Sequence, residues 1–390
     1  MKRLLFVGIF CSGFGLFAQD ELVSVPFELY GDHIFIKLNV DGSEPQDFIF
    51  DTGDGLTVLD IDVAKSLGLD LDHKQQTSSA QGTITGALIK HNRIDVGGLQ
   101  MEKNVKIYAT SLKHLEISIG RNVDGIIGYD LLQHHAVNIN YDNMTFNVYD
   151  PSVFPTDGVK IPIKMVSGIP TVQGSVTLND GNTIEGIFYV NTGAGTTMDF
   201  NTPFATANDI ISKTGQHYSY PVKGLGDVES MHYEGRVASF SVGNVRVDQM
   251  PIGISQVNSG LQGDKRVAGI IGNRLLKQYN VTVDIKSSSL YLSPNQSAGA
   301  PIPVNCSGLD VQMNEEQSDV LIHRVFEGSS AEEAGISVND ILVQIDGMDA
   351  SELGLMNVRK ILKTPGKMVK LTLKSARDTK EVELMLKELI

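Results

Sequence analysis

Hydrophobic and polar positions alternate along short stretches of the chain, as in Phe35-Ile-Lys-Leu-Asn-Val40 and Thr171-Val-Gln-Gly-Ser-Val176. A period of two is the signature of half-buried strands. Asp41-Gly42 and Asp180-Gly181 supply turn chemistry between such strands. Gly128-Tyr-Asp-Leu-Leu132 and Gly272-Asn-Arg-Leu-Leu276 read as single short helices, each followed by a strand that closes a lobe. The chain is predicted to be mostly β.

These elements recur. Val123-Asp-Gly125-Ile126-Ile127 and Val137-Asn-Ile139-Asn140 reappear as Val267-Ala-Gly269-Ile270-Ile271 and Val281-Thr-Val283-Asp284, about 140 residues later and in the same order. Phe48-Ile-Phe-Asp51-Thr52-Gly53 is matched by Phe188-Tyr-Val-Asn191-Thr192-Gly193, and Val96-Gly97 by Val242-Gly243. Two similar β lobes, residues 20–150 and 151–293, follow from this repeat. Residues 294–303 have linker composition, and a third domain is expected over 304–390.

The chain has 390 residues, 41% of them hydrophobic and 20% charged, enough to bury several cores. A formal charge of −14 without basic runs argues against nucleic acid and anionic membrane surfaces as partners. Residues 1–19 read as a secretory signal peptide: Lys2 and Arg3, an apolar stretch from Leu4 to Phe17, and the small Ala18 at the cut. Cleavage removes Cys11 and leaves Cys306 alone, so the exported protein is expected to rely on its cores rather than on a disulfide. No later segment is apolar enough to span a bilayer. The expected location is periplasmic or secreted, in soluble form.

Each lobe places Asx-Thr-Gly directly after a hydrophobic strand, with a hydrophobic-hydrophobic-Gly element about 75 residues further on. A single such tripeptide reads as a plain turn; two, each with its companion element, point to a paired site. On these residues the chain resembles the pepsin/retropepsin superfamily of aspartic peptidases over nearly all of residues 25–293. The resemblance implies two retropepsin-like β-barrel lobes in a pepsin-like bilobal arrangement, with Asp51 and Asn191 as the catalytic pair. It implies loops Thr52-Gly53 and Thr192-Gly193, cross-braced by the two threonine hydroxyls. Ile126-Ile127-Gly128 and Ile270-Ile271-Gly272 would support the loops from below, and Gly82-Thr83-Ile84-Thr85-Gly86 would form a flap with glycines at both ends of a mobile tip. Gly224-Leu-Gly226 is its counterpart in the second lobe. Extended polypeptide would lie in the interlobe cleft.

The second loop departs from that family. Asn191 stands where the second carboxylate would be, and an amide donates hydrogen bonds but does not ionise. Without a like charge opposite, Asp51 is expected to stay ionised over most of the pH range, and Asp54 to be a turn residue whose side chain points elsewhere. Two readings follow: an endopeptidase in which Asp51 activates water and Asn191 polarises the carbonyl, or a pseudoprotease that binds peptides without cutting them.

Ser329-Ser-Ala331-Glu-Glu-Ala334-Gly335 and Asp340-Ile341-Leu342 resemble the PDZ domains of exported bacterial proteases. The resemblance makes Gly308-Leu309-Asp310-Val311 the peptide-binding loop, with Asp310 where that family commonly has Gly, and 353–362 the helix beside the groove. A peptide C-terminus or strand would add there and be positioned for the cleft. His134-His135 has no third ligand at metal spacing, so neither metal nor cofactor is expected.

Overall fold

The computed structural model describes residues 21–79, 82–101, 105–223, 229–375 and 378–390. The signal peptide read at 1–19 and the Gly224-Leu-Gly226 segment lie outside these residues. Strands hold 47% of the structure and helices 14%, so the protein is mostly β.

In the first lobe, strand Gln46–Phe50 leads into Asp51. It pairs antiparallel with His33–Val40 and parallel with Gly125–Ile127. Thr57–Asp60 then pairs antiparallel with Gly125–Ile127 and parallel with Val105–Thr110. The second lobe repeats each relation. Thr183–Asn191 lies antiparallel to Ile169–Thr177 and parallel to Gly269–Gly272, and Met198–Phe200 bridges Gly269–Gly272 and Val245–Ser255. The recurring sequence is thus a recurring topology.

The lobes do not close separately. Their last strands join one six-stranded sheet, in which Ala136–Asn140 pairs antiparallel with Tyr279–Asp284. Asn138 sits opposite Thr282, its repeat equivalent, and donates to its hydroxyl at 2.8 Å. The axis relating the lobes passes through this pair. A single hydrophobic core therefore runs through both lobes, with Phe48, Phe50 and Phe146 on one side and Phe188 and Phe200 on the other.

The segment expected as a linker is tied down. Asn295 bonds to the carbonyls of Gln278 and Lys277, and Gln278 donates to Ala300 O at 2.8 Å. The domain beyond it has a core of its own, including Leu309, Val311, Ile322, Val358 and Leu371. Its sheet runs from edge strand Leu309–Met313 through Val320–Val325, Ile341–Ile345 and Met368–Lys374 to Thr379–Met385. Helix Leu355–Leu362 packs beside the edge strand, with Leu355, Val358 and Leu362 buried.

Candidate active site

Both Asx-Thr-Gly loops end a strand at the centre of a lobe, and the axis brings them together. Thr52 Oγ1 donates to Val190 O at 2.6 Å and accepts from Thr192 N at 3.1 Å. Thr192 Oγ1 does the reverse, donating to Phe50 O and accepting from Thr52 N, both at 3.1 Å. Both threonines are buried, so the brace replaces four backbone bonds that water cannot reach. Ile126-Ile127-Gly128 and Ile270-Ile271-Gly272 lie beneath. Asp51 N donates to Ile127 O, and a Cβ on Gly128 would fall 1.8 Å from Asp51 O. No side chain fits at that approach.

Gly53 and Gly193 cross the axis. A Cβ on Gly193 would lie 2.2 Å from the Asp51 carboxyl, and one on Gly53 the same distance from Asn191 Nδ2. Asn191 Oδ1 already accepts from Gly193 N at 2.8 Å and Ala194 N at 2.9 Å. Its NH₂ is thereby turned toward the first loop, beside Asp51. The site holds one carboxyl and one amide donor in facing positions.

Asp51 does not stay ionised over most of the pH range, contrary to the sequence expectation. It borders the cleft, but packed atoms surround its carboxyl and this burial pushes its pKa up to about 6. Bonds from Gly53 N, at 2.6 Å, and from Gly193 N pull the other way without cancelling the effect. Loss of a like charge at Asn191 is outweighed by desolvation. Asp54 needs the same correction. It does shape the turn, with Asp54 N on Asp51 O and Leu56 N on its own carboxylate. Its carboxyl is nevertheless buried and feels the charge of Asp51, and its pKa rises to about 8, chiefly through burial.

Asp54 therefore holds a proton between about pH 4 and 8 that the unfolded chain has released, and stability falls as pH rises through that window. Asp54→Asn keeps the acceptor for Leu56 N and removes the titration. Its melting temperature is expected to exceed wild type by several degrees at pH 8.5 and to match it near pH 4. An equal offset at both pH values in a thermal melt would contradict the assignment.

The segment expected as a flap lies in a hairpin of strands Lys74–Ser79 and Gly82–Asn92. Residues 80–81 lie outside the described residues; the stretch from Gly82 to Gly86 is part of one strand and not a tip between two glycines. Ile84 pairs with Thr77 and Thr85 with Gln76. Gly86 is glycine for packing: a Cβ there would lie 2.3 Å from Ala109 O and 2.8 Å from the Tyr108 ring. Tyr108, which sequence reasoning missed, donates within reach of Gln75 O and Ile84 O and so ties both flap strands. His33 was also missed. It reaches across from the first lobe, its Nε2 3.3 Å from where a Gly195 Cβ would sit, and burial lowers its pKa. Neither residue carries a local sequence signal.

The segment expected as the peptide-binding loop of the third domain is not free. Gly308, Leu309 and Val311 are buried, and Asp310 lies 3.6 Å from Arg324. First-lobe helix Lys113–Ile119 packs on edge strand Leu309–Met313, and Gln317 bonds to Glu116 at 3.3 Å. Arg359, on the groove helix, donates to Val311 O at 2.6 and 3.2 Å. The second lobe holds the other end: Phe326 packs at a tilt against Tyr218 with ring centroids 4.7 Å apart, and Arg236 meets Glu388 at 3.1 Å. Among the described residues no cluster of His, Cys, Asp or Glu has metal-site geometry, and no helix is long and apolar enough to cross a membrane. His134 and His135 lie at the end of the short helix Tyr129–Leu132.

Cross-braced paired loops, each backed by a hydrophobic-hydrophobic-Gly strand, are the arrangement that the resemblance to aspartic peptidases implies. The family model described as aspartyl protease matches residues 36–131, and the PDZ domain model matches residues 301–374. The chain carries an aspartyl protease domain followed by a PDZ domain. The first match covers the Asp51 loop and its support strand; the Asn191 loop lies beyond it. No curated protein matches the chain.

Proposed function

We propose that the protein is an exported peptidase that cuts extended polypeptide in the interlobe cleft, with Asp51 serving in turn as base and acid. The observation that carries this is the facing pair: a buried Asp51 carboxyl with a pKa of about 6, opposite an Asn191 amide whose NH₂ is turned toward it. Ionised Asp51 takes a proton from water, and the oxygen attacks the scissile carbonyl carbon. Asn191 Nδ2–H donates to the carbonyl oxygen as it gains charge. Asp51 then returns the same proton to the leaving amine as the C–N bond breaks. One carboxyl completes the cycle, and a pKa near 6 suits both directions of transfer. The Lys74–Asn92 hairpin covers the bound chain, whose backbone pairs as an added strand. Export rests on the signal peptide read in residues 1–19.

The test is cleavage of a mixed peptide library followed by mass spectrometry between about pH 4 and 8, a range bracketing the carboxyl. The rate is expected to rise with pH along a limb of apparent pKa about 6, as Asp51 ionises. The second reading, a pseudoprotease, is favoured by Asn191 itself, which cannot donate a proton to the carbonyl oxygen. Binding of the library without fragments at any pH would establish that reading instead.

A further inference from the structure

A cavity of about 780 Å³ lies where the three domains meet, within the size range of ligand pockets. One wall is the chain just after the Asn191 loop, Gly195 to Thr197; another is first-lobe helix Lys113–Ile119; the PDZ edge strand closes it with Asp310 and Gln312. We infer that this cavity binds the uncharged part of a polypeptide leaving the Asn191 loop, so that the PDZ domain recognises substrate through this wall as well as through its groove. The inference rests on the cleft being a polypeptide site.

The ligand class follows from how the cavity's charges are spent. Three carboxylates and three arginines line it, so these charges cancel in number. Each is already engaged inside the protein. Asp199 accepts from Thr196 and faces His232 at 3.5 Å, and a Cβ on Gly253 would clash with both. Glu234 holds the Tyr218 hydroxyl, Asp310 pairs with Arg324, Arg274 with Asp32, and Arg359 caps Val311 O. A charged ligand group would enter without a counter-charge, which is costly. The rest of the lining is uncharged and mixed, with Leu115, Ile117 and Ile252 beside Ser118, Gln262 and Gln312. Peptide or carboxamide groups, neutral donors and acceptors on an apolar frame, suit such a lining.

Fluorescein-labelled random peptide pools with blocked ends, six and ten residues long and free of Asp, Glu, Lys and Arg, would be titrated into full-length Asp51→Asn by anisotropy. The longer pool is expected to bind at least about tenfold tighter. Ser118→Phe on the first-lobe wall and Gln312→Phe on the PDZ wall are expected to erase that gain, leaving six-residue affinity within about twofold. Placing charged residues in the extension is expected to erase it too. If the gain survives both blocking substitutions, or the pools bind equally, the cavity is not the site, while the cleft reading stands. If neither pool binds, the polypeptide reading fails and the inference falls with it.

Discussion

Asn191→Asp is expected to raise peptide hydrolysis at pH 4–5 by about 10²-fold and to turn a rate that climbs with pH into a bell. In the proposed mechanism Asp51 works only once ionised, so wild-type activity is expected to fade below about pH 6. Asn191 crosses the axis as closely as Asp51 does, since each lies where the opposite loop's glycine would place a Cβ. A carboxyl there shares one proton with Asp51, lowering one macroscopic pKa and raising the other. The singly protonated pair works at acid pH, with the protonated member donating to the carbonyl oxygen from the start. Asp51→Asn alone removes the only base in the pair, and a loss of about 10²–10⁴-fold is expected. The exchanged pair, Asp51→Asn with Asn191→Asp, moves the carboxyl to the other loop and is expected to regain part of that activity. Rates by mass spectrometry across the pH range decide. Identical profiles for wild type and Asn191→Asp would mean that residue 191 does not face the reacting carbonyl.

The pairing of the two loops was legible because it is written locally, as a tripeptide, a preceding strand and a repeated support element. The cross-brace followed from the resemblance alone, and Thr52 and Thr192 make it with reciprocal bonds. What was illegible depends on summed burial or on contacts between distant segments. The titration of Asp51 and Asp54 is set chiefly by how many atoms surround each carboxyl, which no spacing records. Gly86 stands in the sequence as one end of a mobile tip because glycine permits both mobility and close packing, and only the Ala109 carbonyl and the Tyr108 ring distinguish them. Val137-Asn-Ile139 and Val281-Thr-Val283 were visible as equivalents, but not as each other's sheet partners. PDZ docking was hidden for a similar reason. It depends on missing side chains, Gly31 opposite Met356 and Gly120 opposite Leu355, where added Cβ atoms would sit 3.0 and 2.8 Å from their neighbours.

Freeing the PDZ domain from the lobes is expected to tighten its binding of peptide C-termini by at least about tenfold. Its edge strand carries first-lobe helix Lys113–Ile119, so an added strand must displace that contact, whereas the Arg359 bond to Val311 O lies within the domain and is common to both forms. Apparent affinity then falls by the fraction of molecules whose groove is open, and a docking preference of about 1.4 kcal/mol already holds that fraction near a tenth. Residues 304–390 have a separate core and a complete sheet, so they can be compared directly with the full chain. Met356→Glu gives a second route: it sets an unpaired carboxylate against Gly31 and Ile119 in the docked form, whereas in the separated domain that face of the half-buried side chain is open to solvent. Fluorescent decapeptides with free and amidated C-termini would be titrated into each protein. The isolated domain and the full-length Met356→Glu variant are expected to bind the free carboxylate alike, both more tightly than wild type. Equal affinity in all three would show that the docked lobes leave the groove open. A gain confined to the isolated domain would place the obstruction on the Tyr218–Phe326 side, since Met356→Glu loosens only the first-lobe contact.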